Sequence, residues 1–518
     1  MKKKTFGIRF PVFLLLGLVA AALLAGCSDV AGGAPGPAAP AESEQAEAPA
    51  AQTAGIVRGK VTDSNSNMLV AGIVVTDEAG STIRETTNAF GGYELKLPPG
   101  KYTLTFNKGA EYSEEVKEVE VASLKTLYLP DARLVQLFDS YGKGWIAGDC
   151  HQHSYYSDGV DSISGLFNGN ASMGLYWGFL TDHNTSRGVP EWVSRTSVNV
   201  MTDGQGNGRP FVGFDGVEVT TEFGHFNSLG SGLTLETYDL NLRESERASQ
   251  DKMAMIRDKL VYIIDSIKRV GGVAQMNHPY SSTTMGAANW VDLDDYELLD
   301  TIDTVEIWNG YFVPPDGIYT DSNAMNQNYD AKLLWYGLLN AMKDGHPFHA
   351  AVGGSDNHDS LSRQAGASDP EQIGDISAYY DYIRSCGKYP GMPATYVQLA
   401  PEELTMENVQ NALVSGHSFI SNGPVVLCDM DGAGYGETLT PAGREVTLHT
   451  DIFNRDGIRE IRVVRNGSIL QTVALDGTED RYNEPIALSA DWQTGDWVLI
   501  EVLGPVSQYA ITNPVLIG

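Results

Sequence analysis

Residues able to bind metal ions are concentrated in a few short polar segments of this chain. Six of its ten histidines and three acidic residues share these segments: His151, His153, His183, His225, His278 and His358, with Asp158, Glu218 and Asp356. Imidazole combined with carboxylate suits Zn, Mn or Fe. His151 and His153 are two residues apart, which points both rings to one side of an extended strand. One such histidine alone would more often be structural, but the joint set predicts a divalent-metal site.

The segments must be positioned by the elements that precede them. Each follows or ends an apolar stretch, so we expect each at the C-terminal end of a strand. A three-and-four spacing of apolar residues predicts one helix face, formed by Met253, Ile256, Leu260, Ile263, Ile267 and Val270. Further helices are expected at about 331–342 and 405–415, and strands at 272–277 and 348–353. Repeated βα units between about 141 and 424 favour one α/β barrel, whose strand ends open on one face.

The polar segments resemble the PHP (polymerase and histidinol phosphatase) superfamily, specifically its CehA/McbA-type metallohydrolase branch. His151 and His153 match the opening H-x-H of that pattern, and Glu218 matches its metal-bridging glutamate. The other matches are Asp158 to the acidic residue of S-D-G, His183 to the histidine of T-D-H, His225 and His278 to the next two ligands, and Asp356 and His358 to the closing D-x-H. The resemblance covers about half the chain.

What the resemblance implies is a distorted (β/α) barrel over 141–424 that binds two to three divalent ions, Zn, Mn or Fe. Its ligand sets would be His151, His153, Glu218 and Asp356 for the first ion, Glu218, His225 and His278 for the second, and Asp158, His183 and His358 for the third. Glu218, Asp356 and His358 would be the catalytic residues. A hydroxide bridging two metal ions would be the nucleophile.

Other residues near these segments are candidates for substrate binding. Arg187 and Arg363 could clamp an anionic group bidentately, or could be ordinary surface charges. Asn277 could donate a hydrogen bond to the substrate. Glu306 ends a strand on the same face, with a site role and a structural role equally open. The expected reaction is hydrolysis of a small-molecule phosphoester; a carbamate or carboxylic ester hydrolase and a non-catalytic surface-binding lipoprotein stay open as alternatives.

The first 26 residues have the pattern of a secretion signal, a basic start followed by an apolar run. Leu24, Ala25, Gly26 and Cys27 resemble the lipobox of bacterial lipoproteins, in which the chain is cut before the cysteine and the cysteine is acylated. The resemblance implies an extracytoplasmic protein anchored to the membrane through lipid on Cys27. A retained membrane helix is the alternative. Residues 27–54 are rich in Ala, Gly and Pro, which predicts a flexible tether.

Net charge bears on whether the protein binds nucleic acid, and cysteine content bears on whether it has a thiol redox site. The formal charge is −31, and removing the signal, which contains four basic residues and no acidic one, makes it −35. Nucleic-acid affinity comes largely from cations that neutralise phosphates, so a nucleic-acid-binding role is not expected. No CxxC pair is present. A thiol redox motif is therefore not predicted, although one disulfide among Cys150, Cys386 and Cys428 is possible.

Short alternating strands flank the predicted barrel on both sides. Residues 55–134 resemble the carboxypeptidase regulatory-like domain, a transthyretin-like β-sandwich, through Thr87, Gly91 and Tyr93 and the segment P-G-K-Y-T-L-T. Its expected strands are Gly55–Thr62, Val70–Thr76, Ser81–Thr87, Gly92–Leu97 and Lys101–Asn107. Residues 425–518 predict a second β-sandwich without a motif of its own. The predicted fold is therefore α/β, a distorted barrel flanked by an N-terminal and a C-terminal β-sandwich.

Overall fold

A computed structural model of the chain describes residues 53–196, 200–202, 208–233, 240–281, 286–287, 295–310, 313–317, 327–361, 389–505 and 507–518. The predicted signal, Cys27, Arg363 and Cys386 lie outside these residues, as does the tether up to residue 52. No helix within the described ranges is long and apolar enough to cross a membrane.

The N-terminal part folds as two small sheets packed face to face. Its strands are β1 (Gly55–Thr62), β2 (Gly72–Asp77), β3 (Thr82–Thr86), β4 (Gly92–Leu97), β5 (Gly100–Asn107), β6 (Glu115–Val121), β7 (Thr126–Tyr128) and β8 (Ala132–Arg133). One sheet has the order β4-β1-β7 with β8 also on β1, and the other has the order β3-β2-β5-β6. Val57, Leu95, Leu104 and Phe106 lie in the core between them. The five strands predicted here are confirmed to within two residues.

The central part alternates strands with helices. Its elements are β9 (Trp145–Asp149), α1 (Ile163–Ser172), β10 (Trp177–Leu180), α2 (Val189–Thr196), β11 (Val200–Thr202), β12 (Gly208–Pro210), β13 (Val212–Thr221), β14 (Gly224–Leu229), α3 (Glu244–Arg247), α4 (Lys252–Arg269), β15 (Val273–Met276), α5 (Tyr296–Leu299), β16 (Thr304–Asn309), α6 (Gln327–Ala341), β17 (Ala350–Gly354), β18 (Ala394–Gln398), α7 (Met406–Val414) and β19 (Ser418–Ser421). Helix α4 matches the apolar periodicity that predicted it. Thr405 caps the N-terminus of helix α7, and its side chain accepts a hydrogen bond from Asn408 N.

The C-terminal part is entirely strands: β20 (Val425–Met430), β21 (Thr438–Leu439), β22 (Glu445–Phe453), β23 (Glu460–Arg465), β24 (Ser468–Ala474), β25 (Arg481–Tyr482), β26 (Ile486–Ser489), β27 (Trp497–Leu503), β28 (Tyr509–Thr512) and β29 (Val515–Ile517). Pro514 lies between the last two strands, β28 and β29. Proline has no N–H to donate to a ladder, so a continuous strand is interrupted there.

One long mixed sheet runs through the central and C-terminal parts, in the order β17-β16-β15-β14-β13-β10-β9-β18-β19-β28-β27-β23-β24. Strands β14 and β18 are antiparallel to both of their neighbours, so the central region is not a regular parallel barrel. The segments that follow the edge strand β17 and the inner strand β9 are also joined, because Asp356 N donates to His151 O and His153 N donates to Asn357 O, both at 2.8 Å. These bonds curve the sheet back on itself and bring the polar segments together.

The C-terminal strands are not a separate flanking layer. Strand β28 pairs with β19 of the central part, with Phe419 opposite Thr512, so one of the two C-terminal sheets is an extension of the central sheet. The other, formed by β20, β22, β25 and β26, packs against it through a shared core that includes Val426, Leu448 and Ile500. Strands from both sides of residue 424, the predicted division, therefore belong to one hydrogen-bonded sheet.

Candidate metal centre

The nine predicted metal ligands converge from six different strands. His151 and His153 follow β9, His183 follows β10, Glu218 lies within β13, His225 lies in β14, His278 follows β15, and Asp356 and His358 follow β17. Asp158 lies between β9 and α1. Glu218 and His225 differ from the expected placement beyond strand ends, because β13 and β14 form a hairpin in which Thr220 is opposite His225.

Glu218 lies at the middle of the cluster of proposed ligands. Its carboxylate is fully buried. Five imidazole rings approach the two oxygens: Oε1 lies 3.0 Å from His225 Nδ1, 3.3 Å from His278 Nε2 and 3.3 Å from His151 Nε2, and Oε2 lies 2.8 Å from His183 Nδ1 and 3.4 Å from His153 Nε2. A carboxylate with ligand rings on both oxygens has the arrangement required of a residue that bridges two metal ions.

Asp356 is the second carboxylate among the proposed ligands. Its Oδ1 lies 3.0 Å from His153 Nε2 and 3.3 Å from His151 Nε2. Its backbone has φ +51°, a conformation that non-glycine residues adopt infrequently. The hydrogen bond from its N–H to His151 O holds this conformation, so the strand-closing contact and the ligand position depend on each other.

The third acidic residue, Asp158, lies on the solvent side of the cluster, with its side chain 58% exposed. Its oxygens lie 3.5 Å from His183 Nε2 and 3.1 Å from His358 Nε2. With His153 these residues form a group whose ligand atoms all lie within 4.8 Å of one another. This group contains the set predicted for the third ion, and it is the part of the centre most open to solvent.

The remaining groupings differ in detail from the predicted ligand sets. Three further sets of ligand atoms lie within 4.8 Å of one another: His151, His153 and Glu218; His151, His278 and Asp356; and His183, Glu218 and His225. His278 therefore groups with the first-ion residues, and His183 is shared between the inner and outer sets. The number of ions and the assignment of each ligand to one ion stay predictions.

The buried carboxylates and the neighbouring imidazoles shift each other's pKa values. Burial disfavours the ionised form of Glu218, but the charges of His183, His151 and His225 hold its pKa well below the usual value. Burial likewise opposes ionisation of Asp356, and His151, His153 and His358 hold its pKa well below the usual value. Burial also opposes protonation of His183, but Glu218 and Asp158 raise its pKa to about 10. The buried carboxylates and the imidazoles around them therefore stabilise each other's charged forms.

The donor set fits divalent metal ions. Several buried ring nitrogens of the cluster have no hydrogen-bond partner in the part of the chain that the structure describes: His151 Nε2, His153 Nδ1, His225 Nε2 and His278 Nδ1. Burying a polar atom without a partner is costly. His151 Nε2 and Glu218 Oε2 each lie within 3.4 Å of other proposed ligands. Imidazole and carboxylate donors at such positions suit Zn, Mn or Fe.

The three predicted substrate-binding residues have different surroundings. The Arg187 side chain is exposed, and Arg363 lies outside the described residues. Asn277 is fully buried, and its amide donates to Glu218 Oε1 at 2.9 Å and accepts from Gln275 Nε2 at 2.9 Å. This placement favours holding Glu218 in position over contact with a substrate. Substrate contact by Arg187 stays a prediction.

Other residues hold the ligands and the loops that carry them in position. Asp182 accepts from Ser154 N at 2.7 Å and from Ser157 Oγ at 2.8 Å, so it braces the loop that carries Asp158. Thr220 Oγ1 lies 2.5 Å from His183 Nδ1. Thr220 lies two residues after Glu218 on the same strand, so both side chains point to one face, and this spacing could have predicted its contact with the centre. Glu306 Oε1 lies 2.9 Å from His151 Nδ1.

Comparisons with known proteins give one family and several remote structural likenesses. A two-domain protein from Bacteroides vulgatus, described as containing a predicted PHP-like metal-dependent phosphoesterase, is 15% identical, with a TM-score of 0.36, over 72% of this chain and 96% of that one. An amidohydrolase from Chromobacterium violaceum, with bound sulfate and no metal, is 17% identical, with a TM-score of 0.26, over 43% of this chain and 92% of that one. Likenesses this remote do not establish a shared activity.

No curated protein matches the chain. The comparison with protein families does identify the two N-terminal sheets. The match spans residues 56–135, close to the predicted limits of 55–134. Residues 56–135 are a carboxypeptidase regulatory-like domain.

Proposed function

We propose that this protein is a metal-dependent hydrolase of the PHP type, acting at the centre around Glu218. One observation carries the proposal: three fully or largely buried carboxylates, Glu218, Glu306 and Asp356, share a cluster of imidazoles. In the described ranges no lysine or arginine forms an ion pair with any of the three. Buried charges are found paired or bound to metals. Divalent cations are therefore the species that would balance this charge.

The proposed ligands would have different roles in such a centre. Glu218 joins the inner groups, and His151, His153 and Asp356 surround it on one side. Asp158 and His358 lie on the side that faces solvent. Divalent ions in this cluster would supply Lewis acidity and lower the pKa of bound water. The exposed side at Asp158 gives a substrate its approach, while the buried inner residues keep the ligand atoms fixed in position.

A phosphoester is the substrate class that we propose first, because divalent ions stabilise charge on phosphoryl oxygens. A carbamate or carboxylic ester is the second candidate. It is favoured by the scarcity of cations, since the only arginine next to a ligand segment in the described residues, Arg187, has an exposed side chain. A neutral ester needs no arginine clamp.

The test begins with protein purified without chelator. Elemental analysis is expected to find two to three divalent ions per chain. A panel of phosphomonoesters, phosphodiesters and aryl esters should show turnover with one class, and chelation should abolish it until Mn, Zn or Fe is restored. A metal content near zero, with no activity gained on adding these ions, contradicts the proposal. Metal without turnover would favour a binding protein.

We also propose that the protein is lipid-anchored outside the cytoplasm through Cys27. The support is the sequence Leu24-Ala25-Gly26-Cys27 after a basic and apolar start. Two or more acyl chains would hold the protein firmly on a bilayer. Cys27→Ser should release the protein or leave it unprocessed, as fractionation and intact mass would detect. A variant that is processed and retained like the wild type contradicts the anchor.

A further inference from the structure

Glu306 lies directly behind the metal centre and is fully buried. Both of its oxygens are occupied by groups that belong to proposed ligands. Oε1 lies 2.9 Å from His151 Nδ1, and Oε2 accepts the backbone N–H of His278 at 2.7 Å. The Nε2 atom of the same His151 ring faces Glu218 and Asp356. Glu306 therefore contacts the outer edge of a ligand ring whose inner edge lines the centre.

The strand that carries Glu306 is built to bring it there. All six residues of β16 are buried, and its pairing with β17 shifts register between Glu306 and Trp308. A bulge of this kind re-aims a side chain. On β17, a Cβ added at Gly354 would lie 2.7 Å from Glu306 Oε1 and 2.4 Å from His151 Cβ. The absence of a side chain at Gly354 is what lets the carboxylate and the ring meet.

The same carboxylate holds a strained backbone. His278 has φ +22°, outside the regions that histidine favours, and its N–H is the group bound by Glu306 Oε2. The amide of Asn309 links this acidic pair, because its Nδ2 lies 3.2 Å from Glu306 Oε2 and 3.2 Å from Asp356 Oδ2. Three proposed ligands, which follow β9, β15 and β17, thus take their orientation from the end of β16.

We propose that Glu306 is a positioning residue for the metal centre: it fixes His151 with the proton on Nδ1 and the lone pair of Nε2 directed inward, and it holds His278 through its backbone. The inference rests on the proposed metal-dependent function. A metal-ligating histidine commonly donates its other N–H to a carboxylate, which orients the ring and makes it a better ligand. Glu306 itself lies behind the ring, so it acts through His151 and not on substrate.

A purely structural role for Glu306 would predict a different set of partners. Buried carboxylates that stabilise a fold are usually paired with Lys or Arg, as Glu501 is with Lys332 at 2.9 Å. Within the described residues the ion-pair partner of Glu306 is His151. Its hydrogen bonds go to His151, His278 and Asn309, all of which belong to the centre or contact it. The contacts of Glu306 are therefore those of the metal site.

Glu306→Gln tests the assignment by changing the number of acceptors. Glutamine has one acceptor oxygen where the carboxylate offers two, so either His151 Nδ1–H or His278 N–H loses its acceptor. We expect affinity for Mn²⁺ or Zn²⁺, titrated against a chelator of known affinity, to fall 10- to 100-fold for at least one ion. The absorption spectrum of the Co²⁺-loaded protein should change as well, while circular dichroism stays as in the wild type.

Asp63→Asn is the matched control, because Asp63 is also a fully buried carboxylate but lies in the N-terminal sheets. Its Oδ1 accepts from two backbone N–H groups, and an amide oxygen can keep both. Metal affinity of this variant should equal that of the wild type. A wild type that binds metal together with a Glu306→Gln variant of equal affinity and spectrum overturns the positioning role. A wild type that binds no metal overturns the proposed function, and this inference with it.

A measurement on the wild type decides the matter if Glu306→Gln does not fold. Ring ¹⁵N chemical shifts of the metal-loaded protein report which nitrogen of each histidine carries a proton. The expected result is His151 protonated at Nδ1 and bound to metal through Nε2. His151 bound through Nδ1 would overturn the proposal.

Discussion

At the scale of single residues, the metal centre depends on a few buried carboxylates. Glu218 is fully buried, yet it is held ionised because imidazole rings surround both oxygens. Asn277 adds a hydrogen bond to Oε1 at 2.9 Å. The carboxylate is thus fixed in position by the residues that would share metal ions with it, and its charge is the common element of the inner groups.

Glu218→Gln should separate metal binding from folding. The amide keeps the volume of the side chain and removes the charge shared by the inner groups. Tight metal binding requires deprotonated ligands. We expect the purified variant to be soluble, with a wild-type circular dichroism spectrum, but to hold fewer ions by elemental analysis and to lose nearly all turnover. Full metal content together with full turnover would exclude Glu218 as the bridging residue.

Glu222→Gln is the nearby control for this variant. Glu222 accepts the backbone N–H of Leu242 at 2.9 Å and forms an ion pair with Arg247, so it anchors a loop and takes no part in the cluster. An exposed or half-exposed ion pair contributes about 1 kcal/mol or less. The control should therefore keep its metal and its turnover, with at most a small loss of stability.

Residue types and their spacing were enough to predict which side chains meet. All nine proposed ligands come together, although they span 207 positions between His151 and His358. The role of Glu306 could not be predicted in the same way, because it depends on the backbone N–H of His278, a group present in every non-proline residue. The position of Asn277 behind Glu218 depends likewise on how β13 and β15 lie around β14.

The close approach of strands sets the geometry of the centre at the scale of elements. Gly354 ends β17 beside Glu306 of β16 and His151, which follows β9. Gly354→Ala places a methyl group against His151 Cβ and Glu306 Oε1, at distances that force one of them to move. Overpacking of this kind costs about 1–3 kcal/mol. We expect weaker metal binding by chelator competition and a lower urea midpoint.

Gly337→Ala, in a neighbouring helix, is the control for Gly354→Ala and should raise stability instead of lowering it. Gly337 lies in helix α6, and a Cβ there would meet no atom within 4 Å. Alanine in place of glycine inside a helix stabilises by about 0.5–1 kcal/mol. This variant should raise the urea midpoint and leave metal affinity unchanged. Equal behaviour of the two variants would mean that the contact at Gly354 does not constrain the centre.

Periodicity in the sequence was a good guide to helices and a poor guide to sheet order. The three-and-four spacing from Met253 to Val270 predicted α4 to within one residue at each end. Strand pairing depends on contacts between distant segments, so neither the antiparallel β18 nor the pairing of β19 with β28 was visible in the sequence. The β13–β14 hairpin was missed because both of its strands are buried and lack the alternation typical of a hairpin.

The long sheet makes the central and C-terminal parts one structure at the scale of the whole molecule. Beyond the β19–β28 pairing, a buried group of charges joins helix α6 to strand β27. Lys332 Nζ donates to Glu501 Oε1 at 2.9 Å, and the hydroxyl of Tyr336 donates to the same oxygen at 3.1 Å. Lys332 and Glu501 are both buried. Unfolding of the C-terminal strands should therefore take the metal centre with it.

Lys332→Met tests this coupling between the two parts. Removing Lys332 leaves the buried Glu501 with Arg462, 3.5 Å from its Oε2, as its cationic partner. The cost should therefore be at most the roughly 3–5 kcal/mol typical of breaking a buried ion pair. The double variant Lys332→Met with Glu501→Leu removes both charges and should recover most of that loss, because a well-packed apolar pair can replace a buried ion pair. Urea unfolding followed by tryptophan fluorescence and by release of bound metal should give coincident transitions in all three proteins. If metal is retained after the fluorescence transition of Lys332→Met is complete, the centre folds independently of the C-terminal strands, and the continuity of the sheet does not make the two parts one cooperative unit.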